Sequence, residues 1–245
     1  MIRVGVLGAG GRMGRLVVAQ VLDTPGLSLG AAVGRAGSPS LGSDAGLLAS
    51  RAACGVPMTA LAPGCFDAVD VVVDFSLPGA LLEAFPHLAG RALVSGTTGG
   101  DEAVHHALRR HSEGAAQVVA SNFSVGIQLL LELVRRTASA LPGAEVQIVE
   151  SHHRHKRDAP SGTALTLADA VRAVDPGRNI GVHALRGGDV VGDHTVWFLA
   201  DGERIALTHL ASSRAPFARG AVHAAAALVG RPAGRYALAD LLGLV

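Results

Sequence analysis

The chain has 245 residues, of which 49% are hydrophobic and 17% charged, and its formal net charge at pH 7 is +1. This length is enough for one large domain or two modest ones, and the near-neutral charge argues against binding to nucleic acid or membrane through bulk electrostatics. The two cysteines, Cys54 and Cys65, form neither a metal-ligand spacing nor a disulfide framework, which is typical of reduced thiols in a cytoplasmic protein.

The first half of the chain alternates short apolar strands with helical segments. It starts with a strand rather than a signal peptide, and no apolar run approaches the length of a membrane span. Strands are predicted at residues 2–7, 27–33, 69–75, 92–95 and 117–120, and helices at 12–22 and 102–111. This alternation predicts an α/β fold with a Rossmann-like doubly wound parallel sheet.

The pattern changes after a long helix with apolar spacing, predicted at residues 124–141. Beyond it, extended segments are predicted at 145–149, 195–199 and 204–210, and a helix at 164–174. Consecutive strands with few crossovers predict a smaller α+β domain with an open mixed sheet. Because the final segment turns helical again, we expect a first domain of residues 1–123 and 214–245 and a second domain of residues 124–213.

A glycine-rich turn, Gly8-Ala9-Gly10-Gly11-Arg12-Met13-Gly14, lies between the first predicted strand and the first helix. Glycines at such a turn permit a tight bend, close approach of the backbone to a pyrophosphate, and close packing of helix on strand. The spacing fits G-x-x-G-x-x-G, whereas G-x-G-x-x-G fails at Met13. The turn therefore predicts dinucleotide binding; the alternative is a glycine-rich βα turn without a ligand.

The end of the second strand usually distinguishes the two nicotinamide dinucleotides. An acidic residue there accepts from a ribose 2′-hydroxyl, whereas an arginine pairs with a 2′-phosphate. This chain has Val33-Gly34-Arg35, with no carboxylate in the turn. Arg35, assisted by Arg12, is suited to bidentate binding of a 2′-phosphate. We expect NADPH as the cofactor, with NADH tolerated; a solvated surface arginine is the alternative.

Two further loops follow strand ends, which is where ligands of doubly wound sheets bind. They are Gly96-Thr97-Thr98-Gly99 and Ser121-Asn122-Phe123-Ser124. Both are suited to contact the nicotinamide half of a dinucleotide through hydroxyl, amide and backbone groups. Ordinary turn chemistry of these residue types is the competing explanation.

Residues 150–163, Glu-Ser-His-His-Arg-His-Lys-Arg-Asp-Ala-Pro-Ser-Gly-Thr, place a dense cationic cluster just before a predicted helix. A metal site is disfavoured, because the neighbouring cations repel a dication and no zinc-like ligand spacing accompanies them. A solvated basic loop is a second interpretation. The third is a catalytic anion site, in which backbone N–H groups of Gly162 and Thr163 bind a carboxylate and His152 or Lys156 delivers a proton.

Together the two sites predict hydride transfer from a dinucleotide to an electron-poor carbon of a small acid with more than one carboxylate. The carbanion-like product, an enamine or enolate, then requires a proton. The alternatives are another Rossmann oxidoreductase acting on a different small carboxylic acid, and a dinucleotide-sensing protein without catalysis.

At these motifs the chain closely resembles the 4-hydroxy-tetrahydrodipicolinate reductase (dihydrodipicolinate reductase) family of diaminopimelate and lysine biosynthesis. The resemblance is carried by Gly8–Gly14, Ser95-Gly-Thr-Thr-Gly99, Asn122-Phe-Ser-Val-Gly126, residues 150–165, Gly188-Asp-Val-Val-Gly-Asp-His-Thr195 and Ala211-Ser-Ser-Arg214. These motifs span nearly the whole chain in the family's order. The string His-His-x-x-Lys-x-Asp-Ala-Pro-Ser-Gly-Thr is highly specific to the family.

The resemblance implies a reductase with a dinucleotide-binding domain and a substrate-binding and oligomerisation domain, assembled as a homotetramer. It places cofactor contacts on Gly8, Ala9, Gly10, Gly11, Arg12 and Met13, on Gly96, Thr97 and Thr98, and on Ala120, Ser121, Asn122 and Phe123. It places the proton donors on His152 and Lys156, and the contacts to a small dicarboxylate substrate on His153, Gly162 and Thr163. One departure is Gly34, where many members carry an acidic ribose-binding residue beside the arginine retained here as Arg35.

Overall fold

The computed structural model describes residues 1–244 of the chain. In chain order the elements are β1 (Ile2–Leu7), α1 (Arg12–Asp23), β2 (Leu27–Gly34), α2 (Ala45–Leu48), β3 (Met58–Ala60), β4 (Val71–Asp74), α3 (Pro78–Ala84), β5 (Ala92–Ser95), α4 (Glu102–Gly114), β6 (Ala116–Val119), α5 (Val125–Ala140), β7 (Glu145–His152), α6 (Gly162–Arg172), β8 (Ile180–Arg186), β9 (Asp193–Ala200), β10 (Glu203–Leu210), α7 (Ala215–Leu228), β11 (Gly234–Arg235) and α8 (Leu238–Leu241). Two compact units result: unit 1 is Met1–Phe123 with the segment from Phe217 onward, and unit 2 is Ser124–Pro216. Among the described residues, no helix is both long and apolar enough to cross a membrane.

Unit 1 is built on a seven-stranded parallel sheet in the order β11-β6-β5-β4-β1-β2-β3. Helices α1 and α7 pack on one face, and α3 and α4 pack on the other. Central strands are therefore apolar on both sides, and Val71, Val72 and Val73 of β4 have no exposed surface. The predicted Rossmann-like doubly wound sheet is confirmed, and the carboxyl ends of its strands meet at one edge.

The C-terminal segment returns to unit 1 and completes its core. Helix α7 is rich in alanine, and Ala224 and Ala225 are fully buried against the rest of the unit. Its small side chains permit a close approach to the chain after β6. A Cβ atom added at Gly220 would lie only 1.8 Å from the carbonyl oxygen of Phe123.

Unit 2 contains a four-stranded sheet in the order β10-β9-β7-β8, in which β7 and β8 are parallel and the other pairs antiparallel. Its strands alternate: Val146 and Ile148 of β7 are fully buried, while Gln147 and Val149 between and after them are half-buried. Helix α6 packs on β7 and β8, and α5 packs on β9 and β10. Both helices cover the face of the sheet that carries Val146 and Ile148. This arrangement is the predicted open mixed sheet.

One strand of the second sheet, β8, is absent from the sequence-based expectations. The sequence patterns do not predict β8, because it is an edge strand in which glycine, histidine and arginine interrupt the apolar pattern. The expected domain boundary at residue 214 stays a prediction; the two compact units of the structure divide between Pro216 and Phe217. The backbone N–H of Ala211 still donates to Asp193 Oδ1 at 3.3 Å, and this contact holds the residues after β10 on the second sheet.

We expect Gly220→Ala to destabilise the protein by about 2 to 3 kcal/mol, because the new methyl group meets a main-chain carbonyl that cannot swing aside as a side chain does. Gly79→Ala in α3 is the matched control: nothing lies within 4 Å of its added Cβ, so a change within about 1 kcal/mol, towards greater stability, is expected. Urea unfolding measures both. Equal free energies of unfolding for the two variants would contradict the close approach of α7.

Candidate active site

The glycine turn between β1 and α1 is tight because two of its glycines, Gly8 and Gly14, lack room for a side chain. Gly8 has a φ of +80°, and a Cβ there would lie 2.8 Å from the carbonyl oxygen of Phe75. A Cβ at Gly14 would lie 2.0 Å from the carbonyl oxygen of Gly8, so α1 packs directly on the turn. Gly11 N–H donates to that same carbonyl at 2.9 Å, which closes the turn.

The start of α1 has the chemistry of an anion site. Its N-cap is Gly11, no side chain caps the helix, and no acidic residue lies in its first turn. The first N–H groups of a helix have no intrahelical acceptor and carry partial positive charge, which suits a phosphate group. Arg12 and Met13 are the first two residues of the helix. The turn and the helix start together fit the pyrophosphate of a dinucleotide.

Arg35 is exposed and follows the last residue of β2. Neither Arg35 nor Arg12 forms an ion pair with the part of the chain that the structure describes. Beside them, a Cβ at Gly34 would lie 3.2 Å from Sδ of Met58 on β3. Met58 is almost fully buried, so it occupies space that a side chain at position 34 would enter.

A buried carboxylate, Asp74, joins the loops that follow β4 and β5. It accepts from Ser76 N–H at 2.9 Å and from three hydroxyl groups, those of Ser76 at 2.5 Å, Ser95 at 2.7 Å and Thr97 at 2.7 Å. The sequence patterns do not identify this residue. The Thr97 hydroxyl donates to Asp74, so Thr97 helps to hold the loop after β5 in place.

The loop after β6 lies next to the loop after β5. Ala120 N–H donates to Ser95 O at 3.1 Å, and the buried ring of Phe123 packs edge-on against Phe75 at a centroid distance of 5.7 Å. A Cβ at Gly96 would lie 2.3 Å from the Phe75 ring, so this position also requires glycine. The same loops carry the other predicted contacts, Thr98, Ser121 and Asn122. The predicted cofactor residues of unit 1 therefore share the carboxyl edge of one sheet.

In unit 2 a row of polar side chains crosses all four strands on the face of the sheet that packs against α5 and α6. His152 lies opposite Arg186 of β8, Glu150 lies opposite His194 of β9, and His194 lies opposite His209 of β10. The period of two places Glu150 and His152 on the same face as the apolar residues that precede them in β7. The row therefore lies on the face that carries the two helices.

Glu150 has no exposed surface and takes part in four hydrogen bonds. Arg186 donates to its two oxygens at 2.8 and 2.7 Å, Ser161 N–H donates at 3.0 Å, and His152 Nδ1 lies 2.5 Å from one of the oxygens. Burial by itself raises the pKa of Glu150, but the donors from Arg186 and His152 outweigh it and hold this pKa below its ordinary value. Glu150 is therefore an anion at neutral pH.

Two of the histidines lie beside the N-cap serines of the helices. The Oγ of Ser161, which caps α6, is 3.3 Å from His194 Nε2, and the Oγ of Ser124, which caps α5, is 3.3 Å from His209 Nε2. Burial lowers the pKa of His194 to about 4 and also lowers that of His209. Both rings are neutral at pH 7, so neither opposes the positive end of the helix beside it.

The predicted proton donors lie at the end of β7 and in the loop after it. Burial lowers the pKa of His152, and the positive charges of Lys156 and Arg186 lower it further, although Glu150 raises it. Lys156 Nζ donates to Asp158 Oδ1 at 2.8 Å. Only 22% of the Lys156 side chain is exposed, so this cation is held close to the protein surface rather than extended into solvent.

Two of the predicted substrate contacts lie at the start of α6, and the third, His153, follows the last residue of β7. Gly162 and Thr163 are the first two residues of that helix, and Ser161 caps it by accepting from Ala164 N–H at 3.2 Å. His153 follows His152 directly and is half-buried. Across residues 1–244, no group of three or more His, Cys, Asp or Glu side chains is arranged to hold a metal ion.

Sequence reasoning missed Glu150, Arg186 and His194 as parts of the site. Two signals pointed to them. The alternation of β7 places Glu150 inward with His152, and Arg186 and His194 lie just before and within the Gly188–Thr195 motif. What the sequence lacks is the pairing of β7 with both β8 and β9, because strand register is a tertiary property.

Comparison with known proteins matches both halves of the chain to one family. Residues 2–123 match the family described as "Dihydrodipicolinate reductase, N-terminus", and residues 126–242 match "Dihydrodipicolinate reductase, C-terminus". The 4-hydroxy-tetrahydrodipicolinate reductase of Halorhodospira halophila is 44% identical over 264 residues, covering 98% of each chain. The enzyme of the same name from Psychrobacter arcticus is 43% identical and covers 100% of this chain and 96% of its own.

Solved structures agree with this assignment at the level of the fold. A dipicolinate-bound dihydrodipicolinate reductase from Paenisporosarcina sp. TG-14 superposes with a TM-score of 0.76 at 24% identity, covering 96% of this chain and 97% of its own. A myo-inositol dehydrogenase from Corynebacterium glutamicum has a TM-score of 0.66 at 14% identity, covering 100% of this chain and 93% of its own, and shares the fold alone. On the strength of both matched halves and the full-length identity of its relatives, the chain belongs to the dihydrodipicolinate reductase family.

Proposed function

We propose that this protein reduces 4-hydroxy-tetrahydrodipicolinate to tetrahydrodipicolinate with NAD(P)H, in diaminopimelate and lysine biosynthesis. The observation that carries the proposal is the cationic cluster of His152 and Lys156 beside the start of α6, in a chain that matches the reductase family over both halves. A solved relative binds dipicolinate, which is a dicarboxylate, and the cluster here has the chemistry to bind the same class of ligand.

Unit 1 would hold the dinucleotide. The turn Gly8–Met13 and the uncapped start of α1 suit the pyrophosphate. The loops at Gly96–Thr98 and Ala120–Phe123 suit the nicotinamide half, because they lie along the carboxyl edge of the sheet. When bound, the nicotinamide supplies the hydride. The protein's own part is to orient it and to keep the loop at Gly96–Thr98 fixed through the hydrogen bond between Thr97 and Asp74.

Unit 2 would bind and protonate the substrate. His153 and the N–H groups of Gly162 and Thr163 would bind a carboxylate, with the positive end of α6 adding attraction. His152 Nε2 and Lys156 Nζ are the two atoms suited to deliver the proton that the reduced carbon requires. Lys156 is the single lysine of the chain; the other 20 of its 21 Lys and Arg residues are arginines.

For the cofactor we propose a preference for NADPH with NADH tolerated. Arg35 is exposed at the end of β2, where a ribose 2′-phosphate binds in doubly wound sheets. Gly34 offers no carboxylate to a ribose hydroxyl, and the buried Met58 lies where a longer side chain would enter. A bound 2′-phosphate would accept paired hydrogen bonds from the guanidinium of Arg35, with Arg12 as its second cation.

We also propose that the protein is a cytoplasmic homotetramer that assembles through the outer face of the second sheet. That face carries apolar side chains including Leu185 and Leu210, which are 57% and 66% exposed, and Trp197 at its centre. Burial of such side chains against other copies would remove them from water. Light scattering after size exclusion measures the assembly; a monomer at micromolar concentration would contradict it.

The direct test of function is a substrate-dependent assay. The purified protein should oxidise NADPH only when the freshly made condensation product of aspartate semialdehyde and pyruvate is present. The condensation enzyme is added in excess so that the unstable product forms in the cuvette. Oxidation of NADPH with a different small carboxylic acid, and none with the condensation product, would support another oxidoreductase of the same fold.

Lys156→Ala and His152→Ala should each lower kcat by about 100-fold or more, because each removes a proton donor from the site. The dissociation constant for NADPH should change little. Lys156→Arg is the matched variant: it keeps the positive charge, but a guanidinium does not release its proton. Full rescue by Lys156→Arg would assign Lys156 to charge alone, and wild-type turnover in both alanine variants would refute the catalytic assignment.

Arg35→Ala should weaken NADPH binding by about tenfold or more and NADH binding by less than about twofold, because only NADPH carries the 2′-phosphate. Arg3→Ala makes the same change of net charge at the amino-terminal end of β1, away from the carboxyl edge, and should affect neither cofactor. Fluorescence titration of each variant gives the dissociation constants. An equal loss of affinity for NADPH and NADH in Arg35→Ala would contradict the proposed contact between Arg35 and the 2′-phosphate.

A further inference from the structure

We propose that Glu150, paired with Arg186, is a positioning residue that fixes His152 in the tautomer with its hydrogen on Nδ1, so that Nε2 is the nitrogen that works on the substrate. The functional half of this inference rests on the proposed role of His152. The structural half, the tautomer itself, is open to measurement without any turnover.

The tautomer follows from the donors around Glu150. One carboxylate oxygen accepts from Arg186 Nη2 and from Ser161 N–H, and the other accepts from Arg186 Nη1 and lies 2.5 Å from His152 Nδ1. A guanidinium and a backbone N–H only donate. Each oxygen accepts from a guanidinium nitrogen, and the hydrogen bonds to Glu150 hold its pKa below its ordinary value, so Glu150 is an anion with no proton to give. The hydrogen between Glu150 and His152 therefore belongs to Nδ1.

The other ring nitrogen is left accessible. Within residues 1–244, His152 Nε2 forms no hydrogen bond, and 12% of the side chain is exposed. It lies beside the main chain of Gly192, where an added Cβ would stand only 3.0 Å away. A larger residue at position 192 would therefore cover the nitrogen, whereas glycine leaves an approach to it.

The charges that face His152 make Glu150 the group that favours its protonated form. Lys156 from the following loop and Arg186 from β8 are positive, and the ring of His194 from β9 packs edge-on at 5.3 Å. Asp158 is occupied by Lys156 through an ion pair of 2.8 Å. Without the carboxylate of Glu150, burial and both cations would all oppose an imidazolium at this position.

Two substitutions should shift the pKa of His152 in opposite directions. In Glu150→Gln, the amide oxygen keeps the position that accepts from Arg186 Nη2 and Ser161 N–H, and the amide NH2 replaces the oxygen that faces His152 Nδ1 and Arg186 Nη1. The neutral ring should then carry its hydrogen on Nε2, and its pKa should fall by about one unit or more. In Arg186→Gln, Glu150 stays charged while an opposing cation is lost. The ring should keep its hydrogen on Nδ1, and its pKa should rise.

NMR of protein with nitrogen-15-labelled histidine measures both the tautomer and the pKa of His152. The correlations between ring nitrogens and ring protons distinguish the two tautomers, and a pH titration gives the pKa. The signal of His152 is assigned from its loss in His152→Gln. Glu145→Gln, at the exposed start of the same strand, is the matched control and should leave the signal unchanged. The pH profile of kcat/KM should follow the same pattern, with its histidine limb lower in Glu150→Gln and higher in Arg186→Gln.

The proposal is supported if the pKa of His152 falls in Glu150→Gln and rises in Arg186→Gln, and if the ring hydrogen moves to Nε2 in Glu150→Gln. A wild-type ring with its hydrogen on Nε2, or shifts of the same sign in the two variants, overturns it. If Glu150→Gln does not fold, Arg186→Gln alone decides: a raised pKa with hydrogen on Nδ1 supports the proposal, and any other result overturns it. Wild-type turnover in His152→Ala would instead refute the proposed catalytic role while leaving the tautomer result intact.

Discussion

The carboxylate of Glu150 is taken wholly out of water in the middle of unit 2, and it links three parts of the chain through its four hydrogen bonds. It fixes His152 in its own strand, binds Arg186 of β8, and holds Ser161 at the start of α6. A buried charge that loses one partner is costly, because the remaining groups are left desolvated and unpaired. The position of the cationic segment relative to the helix start that follows it therefore depends on this one interaction.

Unit 1 uses a related arrangement with different donors. Asp74 is also buried at the end of a strand and also accepts four hydrogen bonds, but all come from uncharged groups of Ser76, Ser95 and Thr97. Hydroxyl donors fix the loops after β4 and β5 without adding a cation to the edge where a dinucleotide would lie. In unit 2 the donor Arg186 is charged, and a further positive group there is compatible with the dicarboxylate ligand that we propose.

The histidines of unit 2 differ in chemistry because they differ in burial and partners. His194 and His209 are kept neutral by burial and lie beside the N-cap serines of α6 and α5. His152 alone among these three bonds to a carboxylate. The three histidines of this row therefore have separate tasks: His194 and His209 lie beside the helix starts, whereas His152 is the one proposed for proton transfer.

The sequence by itself determined the doubly wound sheet, the open mixed sheet, the glycine turn and the family, because apolar periodicity and local motifs are encoded within short stretches of chain. It also singled out Arg35, His152 and Lys156 as candidates. Only the tertiary structure decided which strands lie beside β7, and thus that Glu150, Arg186 and His194 join the site, since a register between strands far apart in the chain leaves no local pattern. The same holds for Met58 beside Gly34 and for the Asp74 network: both arise from contacts between elements that no spacing within the sequence predicts.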